Sequence, residues 1–355
     1  MRYSTILITG GSGFIGSSLA LRLKDKYPKV KIIALDNFKR RGSEINVPIL
    51  KSHGVEFMHG DIRCPEDLAL KDKIGLLIEC SAEPSVLAGF GDNPKYIINT
   101  NLVGTVNCLE LARRDKADII FLSTSRVYPY EAINALKAKE SDSRFEWLAG
   151  QKARGFSSQG IDIDFPLDGA KTLYGATKLS SELILTEYIK MYGIRGVINR
   201  CGVVAGPGQF GKADQGVVTF WMLAHYFKRN LNYIGFGGQG KQVRDILHVD
   251  DLFGLIDLEM RNFNKVNGKI YNAGGGKNCS VSLRELTSAC ARITENKVNI
   301  GSILKDRPGD IKIYLTDNSR VEADLGWRAV KNLAQIFEDT FSWIRENQRE
   351  LKRII

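Results

Sequence analysis

Tyr174-Gly175-Ala176-Thr177-Lys178 sets a phenol and an ammonium four residues apart at the head of a helical stretch, so both side chains leave one face. That pairing makes a base. A tyrosine of ordinary pKa ~10 must fall to roughly 6–7 to be useful as a phenolate, which asks ~4–5 kcal/mol of its surroundings. An adjacent ammonium and a second positive charge facing the ring would together supply it. Upstream, the apolar run 119–122 ends in Ser123-Thr124-Ser125-Arg126-Val127-Tyr128, which puts hydroxyls at the end of a strand. Hydroxyl, phenol and ammonium together predict a site for moving a hydride off an alcohol carbon. The spacing alone is weak, because Tyr27-Pro28-Lys29-Val30-Lys31 repeats it, bridging a helix end and a strand start.

A hydride needs an acceptor, and the segment Ile6-Leu7-Ile8-Thr9-Gly10-Gly11-Ser12-Gly13-Phe14-Ile15-Gly16 predicts one. An apolar strand runs directly into spaced glycines and then a helix. Glycine permits the tight turn and lets backbone approach a pyrophosphate, while the helix N-terminus offers unpaired N–H groups to it. The same glycine spacing recurs at 206–211 and 235–240, but the first holds Pro207 with no helical run at once behind it. The second leads into a strand-like run, 241–247. Only the segment 10–16 has a strand before it, a helix after it and an acid about 20 residues on: Asp36, closing the apolar run 30–35, where a carboxylate accepts from both ribose hydroxyls of NAD and repels a 2′-phosphate. Lys39-Arg40-Arg41 just beyond is the opposing signal, and reads as a solvated loop or a stack for the adenine. NAD is the expected cofactor.

These residues need a scaffold, and the apolar runs 55–58, 74–78, 119–122 and 196–199 alternate with helical stretches, two of them clear at 99–114 and 174–192. Repeated βα units predict an α/β fold with a doubly wound parallel sheet, the Rossmann arrangement. Beyond about residue 203 come short strands, glycine-rich turns and separate helices, a smaller substrate-binding region interleaved in sequence with the first. The expected division is 1–202 with a return segment near 243–275 for NAD, and 203–242 with 276–355 for substrate. Ser282-Leu283-Arg284-Glu285 has capping-box spacing. Val249-Asp250-Asp251 is a second helix start, and 269–273 is a strand returning to the main sheet.

Composition bounds the classes. With 43% apolar and 25% charged residues, 355 residues make an ordinary globular chain of one or two domains. No run approaches ~18 apolar residues, so no membrane span is expected. A strand starting near residue 3 leaves no room for a signal peptide, and six cysteines without a CxxC pair read as reduced core residues, not disulfides or a metal site. A cytoplasmic protein is expected. The net charge of +10 is spread and interleaved with acids, so it predicts no nucleic-acid partner and suits a doubly anionic small molecule.

Taken with Asp36-Asn37, Gly60-Asp61-Ile62, Asn101-Leu102-Val103-Gly104-Thr105, Val243-Arg244-Asp245, His248-Val249-Asp250-Asp251 and Arg307-Pro308-Gly309-Asp310, the chain resembles the extended short-chain dehydrogenase/reductase family of nucleotide-sugar epimerases and dehydratases. The resemblance implies that Gly10, Gly13, Phe14, Ile15, Gly16, Asp36, Asn37, Arg40, Asp61, Ile62 and Asn101 hold NAD, Asp61 and Ile62 lying along the adenine. It implies that Thr124 hydrogen-bonds the reacting hydroxyl, Tyr174 is the base, and Lys178 also holds the nicotinamide ribose. It puts Arg244 and Arg307 on the diphosphate, Asp310 near its ribose, and Ser125, Arg126, Gln209 and Lys241 in the substrate site. The partner so implied is a nucleotide-diphosphate sugar, and the assembly a homodimer or homotetramer.

Within that family, Gly208-Gln209-Phe210, Asp214-Gln215-Gly216, Gly240-Lys241-Gln242 and a long stretch between Tyr128 and Tyr174 most resemble the branch acting at C2 of CDP-hexoses. Dehydratases carry an acid pair directly after the threonine, where this chain has Ser125-Arg126. Epimerisation at C4 of a UDP- or GDP-sugar and keto-sugar reduction are the alternatives. Glu79-Cys80-Ser81-Ala82 stands where the family has a histidine-led segment, and no catalytic role is carried onto Glu79.

Overall fold

The computed structural model describes residues 2–212 and 215–354, and Asp214 lies outside them. The chain forms two compact units. The first comprises 1–124, 173–200 and 253–270, and the second 125–172, 201–252 and 271–355.

In the first unit, short runs, buried almost throughout except in β3, become parallel strands: β1 (Thr5–Thr9), β2 (Lys31–Asp36), β3 (Glu56–His59), β4 (Leu76–Glu79), β5 (Asp118–Thr124) and β6 (Gly196–Cys201). β7 (Ile270–Ala273), whose first residue closes this unit, is the edge strand, and the order is β7-β6-β5-β4-β1-β2-β3. The returning strand expected at 269–273 is therefore present. Strands buried on both faces read as near-continuous apolar runs, which is why β1, β4 and β5 have no alternation. Helices α1 (Phe14–Lys26), α3 (Thr172–Tyr192) and α4 (Val249–Arg261) follow the predicted starts closely, and α2 (Gly104–Asp115) begins five residues after its expected start. Leu7, Leu77, Leu109, Ile119, Phe121 and Leu185 form the centre of the apolar core.

The helix expected at 99–114 is more structured than its periodicity implied. A single turn at Lys95–Ile98 passes into a π-helical turn at Asn99–Val103 before α2. Such turns free a backbone carbonyl and cluster at functional sites. Here the Asn101 carbonyl accepts from Thr105 Oγ1 at 2.8 Å and Ser181 Oγ at 2.9 Å.

The second unit holds a small sheet of Val203–Ala205, Val243–His248, Ser280–Ser282 and Ile313–Tyr314. The capping box is formed: Ser282 Oγ accepts from the Glu285 N–H and Glu285 accepts from the Ser282 N–H, opening helix Leu283–Thr294. The stretch 125–172, assigned to the first region from sequence, packs within the second unit. Its hairpin, Ala138–Glu140 with Phe145–Trp147, is pinned by the Phe145 N–H donating to the Lys241 carbonyl and by Lys241 Nζ bonding Glu140 at 2.7 Å.

Candidate active site

The grip at the end of β1 is built by close approach. Gly10 has φ +62°, a left-handed conformation costly for any side chain, and a Cβ on Gly16 would lie 2.2 Å from the Gly10 carbonyl oxygen. α1 can therefore pack onto the turn only without a side chain at Gly16. Its N-cap, Gly13, supplies no capping side chain and its first turn holds no acid, so the N–H groups at this helix start stay available to an anion. Asp36, at the end of β2, is fixed by the Ser12 N–H (3.1 Å) and the Phe38 N–H (2.8 Å). A carboxylate oxygen has a further lone pair, so both oxygens remain able to accept from a ribose. The open cradle and the fixed acid fit NAD.

Around Asp61, expected from sequence to lie along the adenine, Asn37 donates to its carboxylate at 3.0 Å and Arg63 grips it through Nε at 3.0 Å. Partial burial pushes the Asp61 carboxyl up, but the Arg63 and Asn37 donors outweigh it and bring it to about 2. Lys39 and Arg63 lie over Tyr96, at 4.7 and 4.9 Å from the ring centroid. Lys39 thus sits on an aromatic ring. Arg40 accepts at its carbonyl from the Ser43 N–H and hydroxyl. Ile62 is buried and packs where a Gly104 side chain would stand.

At the end of β5, Ser123 and Thr124 alternate faces, which separates their tasks. Ser123 Oγ donates to Glu182 of α3, which also holds Arg200 of β6 through two donors, Nη2 at 2.8 Å. That buried cluster braces the strand end and leaves the expected substrate role to Thr124. One turn apart on α3, Tyr174 is half-buried and Lys178 is 1% exposed. Lys178 Nζ lies 3.9 Å from the Phe121 ring centroid and 3.6 Å from Glu79 Oε2. Asn101 ties the layer together, accepting from the Glu83 N–H at 2.7 Å and donating to Thr177 at 3.3 Å. The second YxxxK run is structural, with Tyr27 donating to Asp257 and Lys31 paired to Asp72 at 2.7 Å.

A Rossmann sheet, a phosphate-ready helix start, a ribose acid and a Tyr-Lys pair on one helix coincide with a match of residues 6–274 to the NAD dependent epimerase/dehydratase family. The chain belongs to that family. Its cofactor is NAD, and it is an enzyme of the nucleotide-sugar epimerase and dehydratase class. It is 29% identical over 349 residues to CDP-paratose 2-epimerase of Salmonella typhi, covering 95% of this chain and 98% of the relative. It is 28% identical over 352 residues to a putative UDP-glucose 4-epimerase of Methanocaldococcus jannaschii, covering 97% and 99%. Among solved structures, UDP-glucose 4-epimerase of Thermus thermophilus in complex with NAD matches at TM-score 0.77 and 26% identity, covering 96% and 99%.

The expected substrate residues of the family lie in the second unit. Arg126 Nη1 donates to the Gly309 carbonyl at 3.1 Å, and Arg244 Nη2 bonds Asp310 Oδ1 at 2.8 Å, so the loop 307–310 gathers two of the arginines. Burial pulls the Arg244 guanidinium down to about 10, with Asp310 pulling it back up, and it stays charged at neutral pH. Arg307 and Asp310 line a cavity of about 450 Å³ with Tyr130, Glu131 and Phe236. Ser125 is buried at the strand exit. Gln209 has both amide ends engaged, by the Val204 carbonyl and Thr219, and Lys241 is committed to Glu140. The residue that sequence reasoning left without a role is Glu79. Its signal was a charged residue ending a wholly apolar strand.

Proposed function

We propose that this protein is a redox-neutral epimerase of a nucleotide-activated sugar, acting at C2 of a CDP-hexose. The cradle at Gly10–Gly16 and Asp36 would hold NAD, which would supply the hydride chemistry, accepting from the reacting carbon and returning to its opposite face with no net oxidation. Thr124 holds the reacting hydroxyl, Tyr174 takes its proton, and Lys178 supports the phenolate and the nicotinamide ribose. Arg244 and Arg307 suit the diphosphate, because guanidinium forks match its oxygens. Asp310 is placed beside Arg244, consistent with a ribose contact. Because the proton and the hydride both return, the cofactor has no need to leave.

The observation that carries epimerisation over dehydration is Ser125-Arg126 directly after Thr124, with Arg126 docked on the Gly309 carbonyl. Water elimination needs an acid and a base there, and neither residue is a carboxylic acid. The choice of a CDP-sugar rests on the likeness to CDP-paratose 2-epimerase across nearly the whole of both chains. The second reading, inversion at C4 of a UDP- or GDP-sugar, is favoured by the likeness to a putative UDP-glucose 4-epimerase. The experiment is proton NMR of the NAD-loaded protein with a panel of CDP-, UDP- and GDP-hexoses. C2 inversion of a CDP-hexose supports the proposal, C4 inversion of a UDP- or GDP-sugar supports the second reading, and a 4-keto-6-deoxy product overturns both.

The proposal includes a cytoplasmic homodimer or homotetramer. α3 exposes Leu183, Met191 and Tyr192, at 62%, 68% and 50%, a stripe that a second copy could cover. Light scattering of the purified protein tests it. No helix among the described residues is long and apolar enough to cross a membrane.

A further inference from the structure

Glu79 ends β4 with no exposed surface, inside a strand whose other residues are all apolar. In register it sits between Thr9 of β1 and Phe121 of β5. Among the described residues neither carboxylate oxygen has a hydrogen-bond partner in good geometry, the Ser81 N–H and the Thr9 hydroxyl favour its charged form from nearby, and Lys178 Nζ faces Oε2 at 3.6 Å. A buried ion pair is weak support for stability, since desolvating two charges costs as much as their attraction returns and an apolar pair would do as well. The position of this one is what gives it a use, one helical turn from Tyr174.

We propose that Glu79 is a positioning residue for the base: its carboxylate is the buried counter-charge that holds Lys178 as an ammonium against the sheet, where Tyr174 requires it. This rests on the proposed role of Tyr174 and Lys178. The groups facing the pair leave that task to Glu79. Cys108 on α2 is a thiol that burial pushes well above its ordinary value, so it stays neutral. Thr9 and Phe121 carry no charge, and Glu182 on α3 is closed on Arg200. Burial pushes the Glu79 carboxyl up, while the facing Lys178 charge pulls it back down.

The test follows the Lys178 Cε resonance by carbon-13 NMR in full-length, NAD-loaded protein with labelled lysine, assigned through Lys178→Arg. It is read across the alkaline range in the natural protein, in Glu79→Gln and in Glu79→Asp. Glu79→Gln keeps the side-chain volume and removes the charge, so the midpoint of Lys178 deprotonation falls by roughly one to three pH units. Glu79→Asp keeps a charge at greater reach and falls between. In turnover assays the alkaline limb of kcat moves with the NMR midpoint while KM stays. An unchanged midpoint overturns the proposal, including where Glu79→Gln lowers kcat, because the loss is then one of packing. Should Glu79→Gln fail to fold, the equally neutral Glu79→Leu takes its place, and an unshifted midpoint there overturns the proposal in the same way. A shifted midpoint in a protein that epimerises no nucleotide sugar upholds the pairing and rejects the proposed function instead.

Discussion

Glu259, on α4, is a carboxylic acid with no exposed surface, and its hydrogen-bond partner is the Asn199 amide of β6, donating at 2.9 Å. Burial pushes its pKa up to about 8, with the Asn199 donor pulling the other way. In the unfolded chain a glutamic acid titrates near ~4.3. Between those values the folded protein holds a proton that the unfolded chain has released, so stability falls as pH rises. The contribution is fully present below pH ~4 and is lost progressively through pH ~8, at up to ~1.4 kcal/mol per unit and on the order of 5 kcal/mol in all. Glu259→Gln keeps an acceptor for Asn199 and removes the titration. The assay is hydrogen exchange of β6 amides such as Ile198 in urea, because all four tryptophans (147, 221, 327, 343) belong to the second unit and fluorescence would miss the first. Between pH 5 and pH 8 the variant should gain about 4 kcal/mol relative to the natural protein. Parallel curves for the two proteins would refute the assignment of a neutral, buried Glu259.

Further outcomes follow from the site. Tyr174→Phe should lower kcat by roughly 10²–10⁴-fold, the usual range for a lost general base, while NAD still co-purifies, as absorbance of the denatured supernatant would show. Gly16→Ala forces a methyl to within 2.2 Å of the Gly10 carbonyl, and should cost about 1–3 kcal/mol in denaturant unfolding with loss of bound NAD. Arg200→Met leaves Glu182 and Ser123 buried without their cation, and should cost about 3–5 kcal/mol, again read in the first unit by hydrogen exchange.

What the sequence made legible was local. The strand, glycine turn and helix of residues 5–26 are set by contiguous residues, and so were the capping box at Ser282 and the Tyr-Lys face of α3. The decoys were separable for the same reason, since what precedes and follows a motif lies beside it in the chain. Contacts made across long loops were not legible. Glu79 and Lys178 are 99 positions apart, and only the pairing of β4 beside β5 under α3 brings them together. The destination of 125–172 was hidden likewise, because a polar hairpin with charged tips shows its partner only once Lys241 is seen to reach Glu140. The π-helical turn at Asn99–Val103 left no periodic trace either, as one extra residue shifts the apolar spacing less than ordinary variation does.

The measurement that bears most directly on the central claim uses a CDP-hexose carrying deuterium at C2, given to NAD-loaded protein in ordinary water. Transient oxidation at that carbon with return of the same hydrogen predicts an epimer that keeps its deuterium, with no net change in cofactor absorbance. Loss of the deuterium to solvent, or steady accumulation of reduced cofactor, would contradict the account.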